Sequence, residues 1–283
     1  MKRIAIQGYQ GAFHQEAAEN YFGKGISLAE CETFELLVES VKNGKAKYGV
    51  MAVENSLVGC ILPNFVLLRE SGLNVIGEVY LRISQNLMAL PNQSIFDLHR
   101  VESHNMAIAQ CKPFFQSFPN IELVESVDTA LSARVIAQKN LVGVGTIGSS
   151  LAASLYGLEV LAPSIETNKV NFTRFLVISP VDSPFAKNSA IKATIAFTAK
   201  HTPGGLAALL SPLANEGVNL TMLHSLPMVG SAWEYIFHAD LCYRSMEHAR
   251  RSMIWLSKQV SQLWVMGVYP THIQSNNQSI TLN

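Results

Sequence analysis

Along the first 180 residues, short apolar runs alternate with stretches in which apolar residues recur at every third or fourth position. The runs are typical of buried strands, and the wider spacing is typical of helices with one buried face. The predicted strands are residues 3–7, 48–53, 75–79, 85–89, 121–124, 141–145 and 172–177. The predicted helices are residues 12–22, 34–43, 63–71, 106–115, 127–138 and 149–156. This alternation predicts an α/β fold with a mostly parallel sheet covered on both faces.

A different order of elements follows a predicted linker between Ser179 and Ser189, which is rich in proline and small polar residues. Beyond it we predict strands at residues 191–198, 219–226, 233–242 and 262–269, and helices at 206–216 and 246–259. The order βαββαβ is typical of a two-layer, ferredoxin-like unit. The polar tail from residue 271 is expected to fray.

The composition predicts a globular protein without a broad charge preference. Of the 283 residues, 48% are hydrophobic and 15% are charged, and the net charge is zero. Such an apolar content excludes a disordered chain. Neutrality excludes a general attraction to nucleic acid or to an anionic membrane, so neither is an expected partner. An anionic ligand must therefore be bound by a local site.

Neither a signal peptide nor a membrane span is expected. The apolar stretch after Met1-Lys2-Arg3 is too short for a signal peptide, and the glycines and serines within residues 141–162 favour a strand followed by a helix. The four cysteines, which lack metal-ligand spacing, are Cys31, Cys60, Cys111 and Cys242. They predict free thiols in a reducing compartment, and we therefore expect the protein in the cytoplasm. No metal is expected.

A GxGxxG pattern occurs at Gly143, Gly145 and Gly148, between a predicted strand and a predicted helix. That context suits dinucleotide binding, but the pattern comes late in the domain and not in a first strand-to-helix turn. A tight turn with close helix packing is the favoured interpretation.

Two polar clusters follow predicted strands near the N-terminus. Gly8-Tyr9-Gln10-Gly11 leads into a helix, whose free N–H groups suit a carboxylate, although a plain turn is the simpler alternative. Val53-Glu54-Asn55-Ser56 lies just past a buried strand, where ligands collect in open α/β sheets. Asn55 can donate and accept hydrogen bonds, and a capping cluster is the alternative there.

Two more clusters lie further along the chain. Ser103-His104 precedes a helix that carries Gln110, and Ser103 could be the N-cap of that helix. Within Asn171-Phe172-Thr173-Arg174-Phe175, alternation places Phe172 and Arg174 on one face of a strand and Thr173 and Phe175 on the other. A buried arginine needs an acidic partner or an anionic ligand, and the pattern leaves both open.

The four clusters, in this order, resemble the prephenate dehydratase family, and Tyr156-Gly157-Leu158 fits the same pattern. The resemblance implies a catalytic domain at residues 1–180 with a two-lobed, type II periplasmic-binding-protein-like fold. Its lobes would be residues 1–79 with 158–180, and residues 80–157, with prephenate bound between them. It implies no cofactor, which leaves GxGxxG a structural role.

The family reaction removes carbon dioxide and water from prephenate to give phenylpyruvate, in phenylalanine biosynthesis. The enzyme is then a carbon–oxygen lyase. By resemblance, the catalytic residues are Asn55, Ser103, Gln110 and Thr173, with Glu54 as the alternative acid. Thr173 would donate a hydrogen bond to the departing hydroxyl. The substrate-binding residues implied in the same way are Arg174, Phe175, Ser56, His104 and Gly11.

Residues 191–270, after a linker at 181–190 and before a tail at 271–283, resemble the ACT regulatory domain. The segments that carry this resemblance are Pro203-Gly204-Gly205-Leu206, Val218-Asn219-Leu220-Thr221 and Trp233-Glu-Tyr-x-Phe237. The resemblance implies L-phenylalanine as an allosteric effector and a homodimer or a homotetramer built as a dimer of dimers. The effector would contact Gly204, Gly205, Leu206, Asn219, Leu220, His224 and Ser225.

The chain departs from the family pattern at Tyr9, His14 and His104-Asn105-Met106, which changes the fine shape of the expected cleft. It also has His224-Ser225-Leu226-Pro227 where members carry Glu-Ser-Arg-Pro. Loss of that charged pair suggests weaker or differently tuned phenylalanine inhibition. Three alternatives remain: an arogenate dehydratase acting on the aminated substrate, a non-catalytic amino-acid sensor, and a nicotinamide enzyme.

Overall fold

The computed structural model describes residues 3–181, 191–199, 201–228, 230 and 234–271. The chain forms two compact units. The first contains Met1–Ile61 with Val79–Phe175, and the second contains Leu62–Glu78 with Leu176–Asn283. The predicted linker from residue 182, Trp233 of the predicted strand, and the tail from residue 272 lie outside the described residues.

Up to residue 181 the described chain contains eleven strands and six α-helices. The strands are β1 (Arg3–Gln7), β2 (Ser27–Cys31), β3 (Tyr48–Asn55), β4 (Gly59–Cys60), β5 (Asn74–Arg82), β6 (Asn86–Ala89), β7 (Arg100–His104), β8 (Glu122–Ser126), β9 (Val144–Gly148), β10 (Glu159–Ala162) and β11 (Phe172–Ser179). The helices are α1 (Phe13–Phe22), α2 (Phe34–Lys42), α3 (Leu62–Ser71), α4 (Asn105–Phe115), α5 (Thr129–Lys139) and α6 (Ser150–Tyr156).

These strands form two sheets. The first has the order β2-β1-β3-β11-β5, with β4 paired to β3. In it β1 runs parallel to both neighbours, with Ala5 opposite Ala29 and Gly49. The second has the order β10-β6-β9-β7-β8. There β7 is parallel to β8 and β9, whereas β6 is antiparallel to β9 and β10. The α/β class is confirmed, but this second sheet is mixed and not mostly parallel.

Each sheet has a core of its own, built from the apolar runs seen in the sequence. Ile4, Ile6, Val50 and Met51 of the first sheet are fully buried. In the second sheet, one face packs on α5 and α6 and the other on α4. Both faces are therefore apolar, which is why its strands lack a clear alternation of apolar and polar residues.

The C-terminal part has the predicted element order βαββαβ. Its elements are β12 (Ile191–Thr198), α7 (Gly205–Asn215), β13 (Asn219–Pro227), β14 (Tyr235–Tyr243), α8 (Met246–Ser257) and β15 (Leu263–Pro270). The strands form an antiparallel sheet in the order β13-β14-β12-β15, with Ala193 opposite Leu241 and Val268. Apolar residues of both helices, including Leu213 and Leu256, pack on one face of this sheet.

Polar residues also lie buried in this unit. Lys192 of β12 and Glu78 of β5 are 5% and 2% exposed, and the Lys192 ammonium lies 2.8 and 2.9 Å from the two carboxylate oxygens of Glu78. Thr194 contacts Asp240 at 2.6 Å, and His238 is fully buried. A buried ion pair of this kind needs both partners, because either charge alone is costly in an apolar surrounding.

Four strands were not predicted from the sequence: β2, β4, β7 and β10. β4 has only two residues, and the other three are short and mix charged with apolar residues, so no apolar run marks any of them. The prediction of Ser103 as an N-cap is wrong, because Ser103 lies within β7 and His104 occupies the cap position of α4. Likewise α5 begins at Thr129 and not at 127, because Asp128 caps it and accepts from the Leu131 amide.

The GxGxxG segment lies within a strand and not in a strand-to-helix turn. Gly145 and Gly148 belong to β9, and only Gly143, with φ +74°, is in a turn. A Cβ on Gly145 would lie 2.9 Å from Leu98 Cδ1 and 3.3 Å from the Met88 carbonyl oxygen, so glycine suits the close packing of this strand. This arrangement supports the structural interpretation over a dinucleotide site.

Candidate active site

Four polar side chains form one hydrogen-bonded chain. Asn55 Nδ2, at the end of β3, donates to Thr173 Oγ1 at 2.9 Å and to Asn171 Oδ1 at 2.8 Å. Asn171 Nδ2 in turn donates to Gln110 Oε1 on α4 at 3.1 Å. The chain thus links the first sheet to a helix of the second.

The hydrogen-bond roles of Asn55 are fixed by its own loop. Its Oδ1 accepts from the Leu57 and Val58 amides at 2.9 and 3.1 Å, so its Nδ2 must face Thr173 and Asn171. A hydroxyl has one proton and accepts through its lone pairs. Because Thr173 Oγ1 accepts from Asn55, its proton remains available to a ligand.

The two segments that carry these residues are tied together by backbone contacts. Ser56 N donates to the Phe172 carbonyl at 2.8 Å, and Phe172 N donates to Ser56 Oγ at 2.9 Å. The end of β3 and the start of β11 are therefore held in register, which places Asn55 beside Thr173.

A cleft of about 290 Å³ opens at this chain. Thr173, Asn55 and Gln110 line it, together with His104 and Phe175. The predicted strand alternation is confirmed here, since Thr173 and Phe175 share the cleft side. The other lining residues are mostly apolar: Gln7, Ala12, Phe13, His14, Phe34, Ala52, Val58, Ile61, Ile83, Gln85, Met106, Ala107, Val127, Asp128 and Thr129.

The charges around the cleft are few. Asp128 is the one carboxylate among the described lining residues, and no lysine or arginine occurs among them. Burial raises the pKa of Asp128, and hydrogen bonds from the Leu131 and Ala130 amides act in the opposite direction. A ligand here meets neutral amides, a hydroxyl and one acidic group.

His14 lines the cleft as a neutral ring. Its ring packs edge-on against Phe175 at 4.9 Å between centroids, and its Nε2 is buried without a protein partner in the described chain. Burial lowers the pKa of His14 to about 3. The ring is therefore uncharged at neutral pH and adds no positive charge for an anion.

Several residues implied by the family resemblance lie outside the cleft lining. Ser103 is fully buried in β7, and its hydroxyl donates to the Ile147 carbonyl at 2.7 Å. Arg174 is 3% exposed, lies 3.7 Å from Glu54 and sits over the Tyr80 ring. Ser56 forms the two hydrogen bonds with Phe172 described above. For Arg174, the structure thus favours the salt bridge over the ligand site.

Gly11 also contributes to the fold around the cleft. Its amide donates to Gln15 Oε1 at 2.8 Å, and its carbonyl accepts from Ser149 Oγ at 2.5 Å. A Cβ on Gly11 would come within 2.9 Å of Ala152, so glycine allows α6 to approach closely. Gly11 therefore fixes the position of α6 beside the glycine turn.

Sequence reasoning did not assign Asn171, His14, Gln85 or Asp128 to the site. Asn171 was part of a quoted motif, and its position two residues before Thr173 on an extended segment could have placed it on the same side. Gln85 and Asp128 gave no local signal, because their proximity depends on how the two sheets come together.

The residues expected to bind an effector lie in the second unit. Gly204, with φ +76°, precedes α7, which begins with Gly205 and Leu206. Asn219, Leu220, His224 and Ser225 lie along the edge strand β13. Leu206 lines a small cavity with Ala199, His201, Thr202, Pro203, Tyr235 and Phe237. Two of its lining residues belong to β14, where Phe237 pairs with Ser225 and Tyr235 with Pro227 of β13.

The described residues contain neither a metal-binding cluster nor a membrane-spanning helix. No cluster of histidine, cysteine or acidic side chains there could hold a metal ion. None of the helices in that part of the chain is long and apolar enough to cross a membrane. The four cysteines are free thiols.

The fold and the cleft define an α/β protein whose cleft presents a threonine hydroxyl and neutral amides among apolar side chains. The family model described as "Prephenate dehydratase" matches residues 4–183. The chain belongs to the prephenate dehydratase family, whose members carry out a dehydration.

Known proteins resemble the chain over nearly its whole length. It is 33% identical to the bifunctional chorismate mutase/prephenate dehydratase of Neisseria gonorrhoeae over 272 residues, which are 95% of this chain and 75% of that protein. The solved prephenate dehydratase of Arthrobacter aurescens, in complex with L-Phe, is 26% identical with a TM-score of 0.84, covering 95% of this chain and 89% of that one. A structure titled "GqqA- a novel type of quorum quenching acylases" is 30% identical with a TM-score of 0.85, covering 96% and 98%.

Proposed function

We propose that the chain is a prephenate dehydratase, a carbon–oxygen lyase that converts prephenate to phenylpyruvate in phenylalanine biosynthesis. The observation that carries this proposal is the hydroxyl of Thr173 in the cleft, accepting from Asn55 and keeping its own proton for a ligand.

The reaction balances without an oxidant or a reductant. The bond between the ring and its carboxylate breaks, carbon dioxide leaves, and the electron pair moves into the ring. The bond to the ring hydroxyl breaks at the same time, and the departing oxygen takes up a proton to become water. The ring becomes aromatic, which supplies the driving force. The protein must therefore hold the substrate still and stabilise the charge on the departing oxygen.

Thr173 is placed to donate a hydrogen bond to that oxygen. A threonine hydroxyl is a weak acid, so stabilisation of developing charge contributes more than full proton transfer. Gln110 lines the cleft and has its Oε1 engaged by Asn171, so its Nε2 is the group that would donate to a substrate oxygen. His104, Phe175 and the apolar lining would hold the ring. Ser103 would act through the Ile147 carbonyl as a support of the cleft.

The domain organisation that goes with this function is part of the proposal. Residues 1–180 would be a two-lobed catalytic domain of the type II periplasmic-binding-protein kind, with lobes at 1–79 plus 158–180 and at 80–157. Residues 191–270 would be an ACT regulatory domain. Its element order and antiparallel sheet support this assignment.

Regulation by L-phenylalanine is supported by the Arthrobacter aurescens structure, which is a complex with L-Phe. In this chain the effector would contact the segment from Gly204 to Leu206 and strand β13. The edge position of β13 favours pairing with a second copy, since an unpaired edge is an open template for another strand. We therefore propose a homodimer or a dimer of dimers in the cytoplasm.

The test is to mix purified full-length protein with prephenate and follow phenylpyruvate, with and without L-phenylalanine. Turnover is expected without added cofactor, and added L-phenylalanine should lower it. Absence of phenylpyruvate with folded protein would contradict the proposed activity. Strong inhibition at low micromolar L-phenylalanine would contradict the weaker response expected from His224-Ser225-Leu226-Pro227.

A second candidate function follows from one feature of the cleft. Its lining is mostly apolar and, in the described residues, free of lysine and arginine, so it could also accept a neutral acyl chain. A similar structure is titled a quorum quenching acylase. Incubation with an N-acyl homoserine lactone, followed by detection of released amine, would distinguish acylase activity from dehydration.

A further inference from the structure

One buried amide oxygen at the cleft has no partner in the described part of the protein. Gln85 lines the cleft together with Thr173, and its side-chain oxygen Oε1 is buried without a hydrogen bond there. The residue as a whole is 4% exposed. An unpaired buried acceptor destabilises a folded protein, so each such group needs an explanation. A ligand that donates to this oxygen would supply one.

The backbone of Gln85 is held by two hydrogen bonds. Its amide donates to Oε2 of the buried Glu166 at 2.8 Å, and its carbonyl accepts from the Ile165 amide at 2.7 Å. Two residues earlier, the Ile83 amide donates to the Asn171 carbonyl at 2.8 Å, which ties this segment to the hydrogen-bonded chain of the active site. A fixed backbone therefore presents the Gln85 side chain, and the Gln85 Oε1 atom takes no part in these contacts.

The other amides of the site have their oxygens occupied. Asn55 Oδ1 accepts from two loop amides, and Asn171 Oδ1 accepts from Asn55. Gln110 Oε1 accepts from Asn171. Among these four amide side chains, Gln85 is the one whose oxygen lacks a protein partner in the described chain.

Two other groups in the lining can accept a hydrogen bond. Asp128 is already engaged, since its Oδ1 caps α5 and its Oδ2 would lie 2.7 Å from a Cβ on Gly8. His14 Nε2 has no partner in the described structure, but its ring packs against Phe34 and Phe175, and a neutral imidazole accepts through only one of its two nitrogens. An amide oxygen such as Gln85 Oε1 can only accept, which makes it the acceptor best suited to a donating ligand.

The proposed substrate has one group that can donate. The carboxylates and the keto oxygen of prephenate only accept, whereas its ring hydroxyl carries a proton. In the proposed reaction Thr173 donates to the oxygen of that hydroxyl. The hydroxyl proton then needs an acceptor of its own.

We propose that Gln85 is a further substrate-binding residue, whose Oε1 accepts the proton of the ring hydroxyl while the hydroxyl oxygen faces Thr173. The inference rests on the proposed function, because it assigns a contact with the substrate of that reaction. Thr173 assists the departure of the hydroxyl, whereas Gln85 binds it in the substrate and in the transition state alike. Loss of the Gln85 contact should therefore act on KM more than on kcat.

The test compares four full-length proteins: the wild type, Gln85→Met, His14→Phe and Gln138→Met. Methionine has the length of glutamine without its amide, and Gln138→Met makes the same change at an exposed position of α5 as the matched control. His14→Phe keeps an aromatic ring and removes the other unpartnered acceptor. For each protein, kcat and KM for prephenate, the inhibition constant of phenylpyruvate and the melting temperature are measured.

Gln85→Met should raise KM for prephenate by about 5- to 100-fold and leave kcat within about threefold of the wild type. The inhibition constant of phenylpyruvate should not change, because this product has no ring hydroxyl. The melting temperature should equal or exceed that of the wild type, since a buried unpaired oxygen has been removed. Gln138→Met should match the wild type in every measurement.

Three results would overturn the role of Gln85 while leaving the dehydratase activity intact. They are an unchanged KM in Gln85→Met, an equal loss of prephenate and phenylpyruvate binding, and a larger rise of KM in His14→Phe, which would assign the acceptor to His14. No turnover of prephenate by the folded wild type would overturn the proposed function and this inference with it.

Discussion

Asn55 Nδ2 donates to Thr173 Oγ1 at 2.9 Å, and this direction decides what the threonine can do. Because Asn55 Oδ1 is occupied by two loop amides, the amide cannot turn around and accept from the hydroxyl. The hydroxyl proton of Thr173 is therefore available for donation to a ligand in the cleft. The same contact would polarise the hydroxyl when it donates to a departing oxygen.

Replacement of Thr173 by valine should therefore remove most of the activity. Valine has nearly the same shape but cannot donate, so kcat should fall by about 10²–10⁴-fold, the range typical of a lost acid or hydrogen-bond donor at a reacting atom. Thr173→Ser keeps the hydroxyl and should restore much of the loss. Steady-state assays of phenylpyruvate release measure kcat for Thr173→Val and for Thr173→Ser. Near-normal turnover by Thr173→Val would show that another group assists the departing hydroxyl.

Asn55→Asp tests the orienting role of the amide. Aspartate still accepts from the Leu57 and Val58 amides, so the loop should keep its shape. It cannot donate to Thr173, and it places a negative charge beside the departing oxygen, so kcat should fall by about 10²–10³-fold.

The matched control is Asn43→Asp, which makes the same charge change at an exposed position at the end of α2. It should leave kcat unchanged. If Asn55→Asp stays within about threefold of the wild type, the hydrogen bond to Thr173 is not a catalytic contact.

Much of this site was predictable from the sequence because strand alternation is local. The pattern Asn171 to Phe175 placed Thr173 opposite Arg174, and the structure agrees. The pattern could not say that Arg174 would find Glu54 and Tyr80, since those partners come from other strands. Asp128 was equally hidden, because it meets Gly8 only through the tertiary fold.

The predicted strands also differ in how clearly the local sequence marked them. The apolar run of β3 and the alternating pattern of β12 marked their strands well, and β12 matches the predicted bounds. The predicted bounds of β9 were displaced by three residues, because Gly145 and Gly148 suggested a turn, whereas both lie inside a strand. β7 alternates Arg100, Glu102 and His104 with Val101 and Ser103, and no strand was predicted there because it contains no apolar run.

The buried ion pair between Lys192 and Glu78 should show as a stability effect. Glu78→Gln leaves the Lys192 ammonium buried without its counter-charge, and the free energy of unfolding should fall by about 3–5 kcal/mol. Replacing both residues by methionine removes both charges and should cost clearly less than the single change. Urea denaturation at pH 7 measures the free energy of unfolding of the wild type, of Glu78→Gln and of the double methionine variant. A loss below about 1 kcal/mol for Glu78→Gln would show that the pair is solvated in the folded state.

Two buried histidines should make the protein sensitive to mild acid. Burial lowers the pKa of His14 to about 3 and that of His238 to about 4 from the usual value near 6.5. Above pH 6.5 both rings are neutral in the folded and in the unfolded chain, so their effect on stability is constant there. Below pH 6.5 these two histidines bind protons in the unfolded chain but remain neutral in the folded chain. Stability should therefore fall as the pH drops from about 6.5 toward 4, by at most about 1.4 kcal/mol per pH unit for each ring.

Carboxylates also titrate in acid, so the contribution of His238 must be taken as a difference between two proteins. Both ring nitrogens of His238 lack a hydrogen-bond partner in the described structure, and Phe65 lies 6.1 Å from the ring centre. His238→Met keeps the volume and removes the titrating group, so its urea midpoint should fall less steeply between pH 6.5 and 4.5 than that of the wild type. His201→Gln replaces an exposed histidine and should leave the slope unchanged. Parallel pH profiles for His238→Met and the wild type would mean that folding does not lower the pKa of His238, contrary to the effect of its burial.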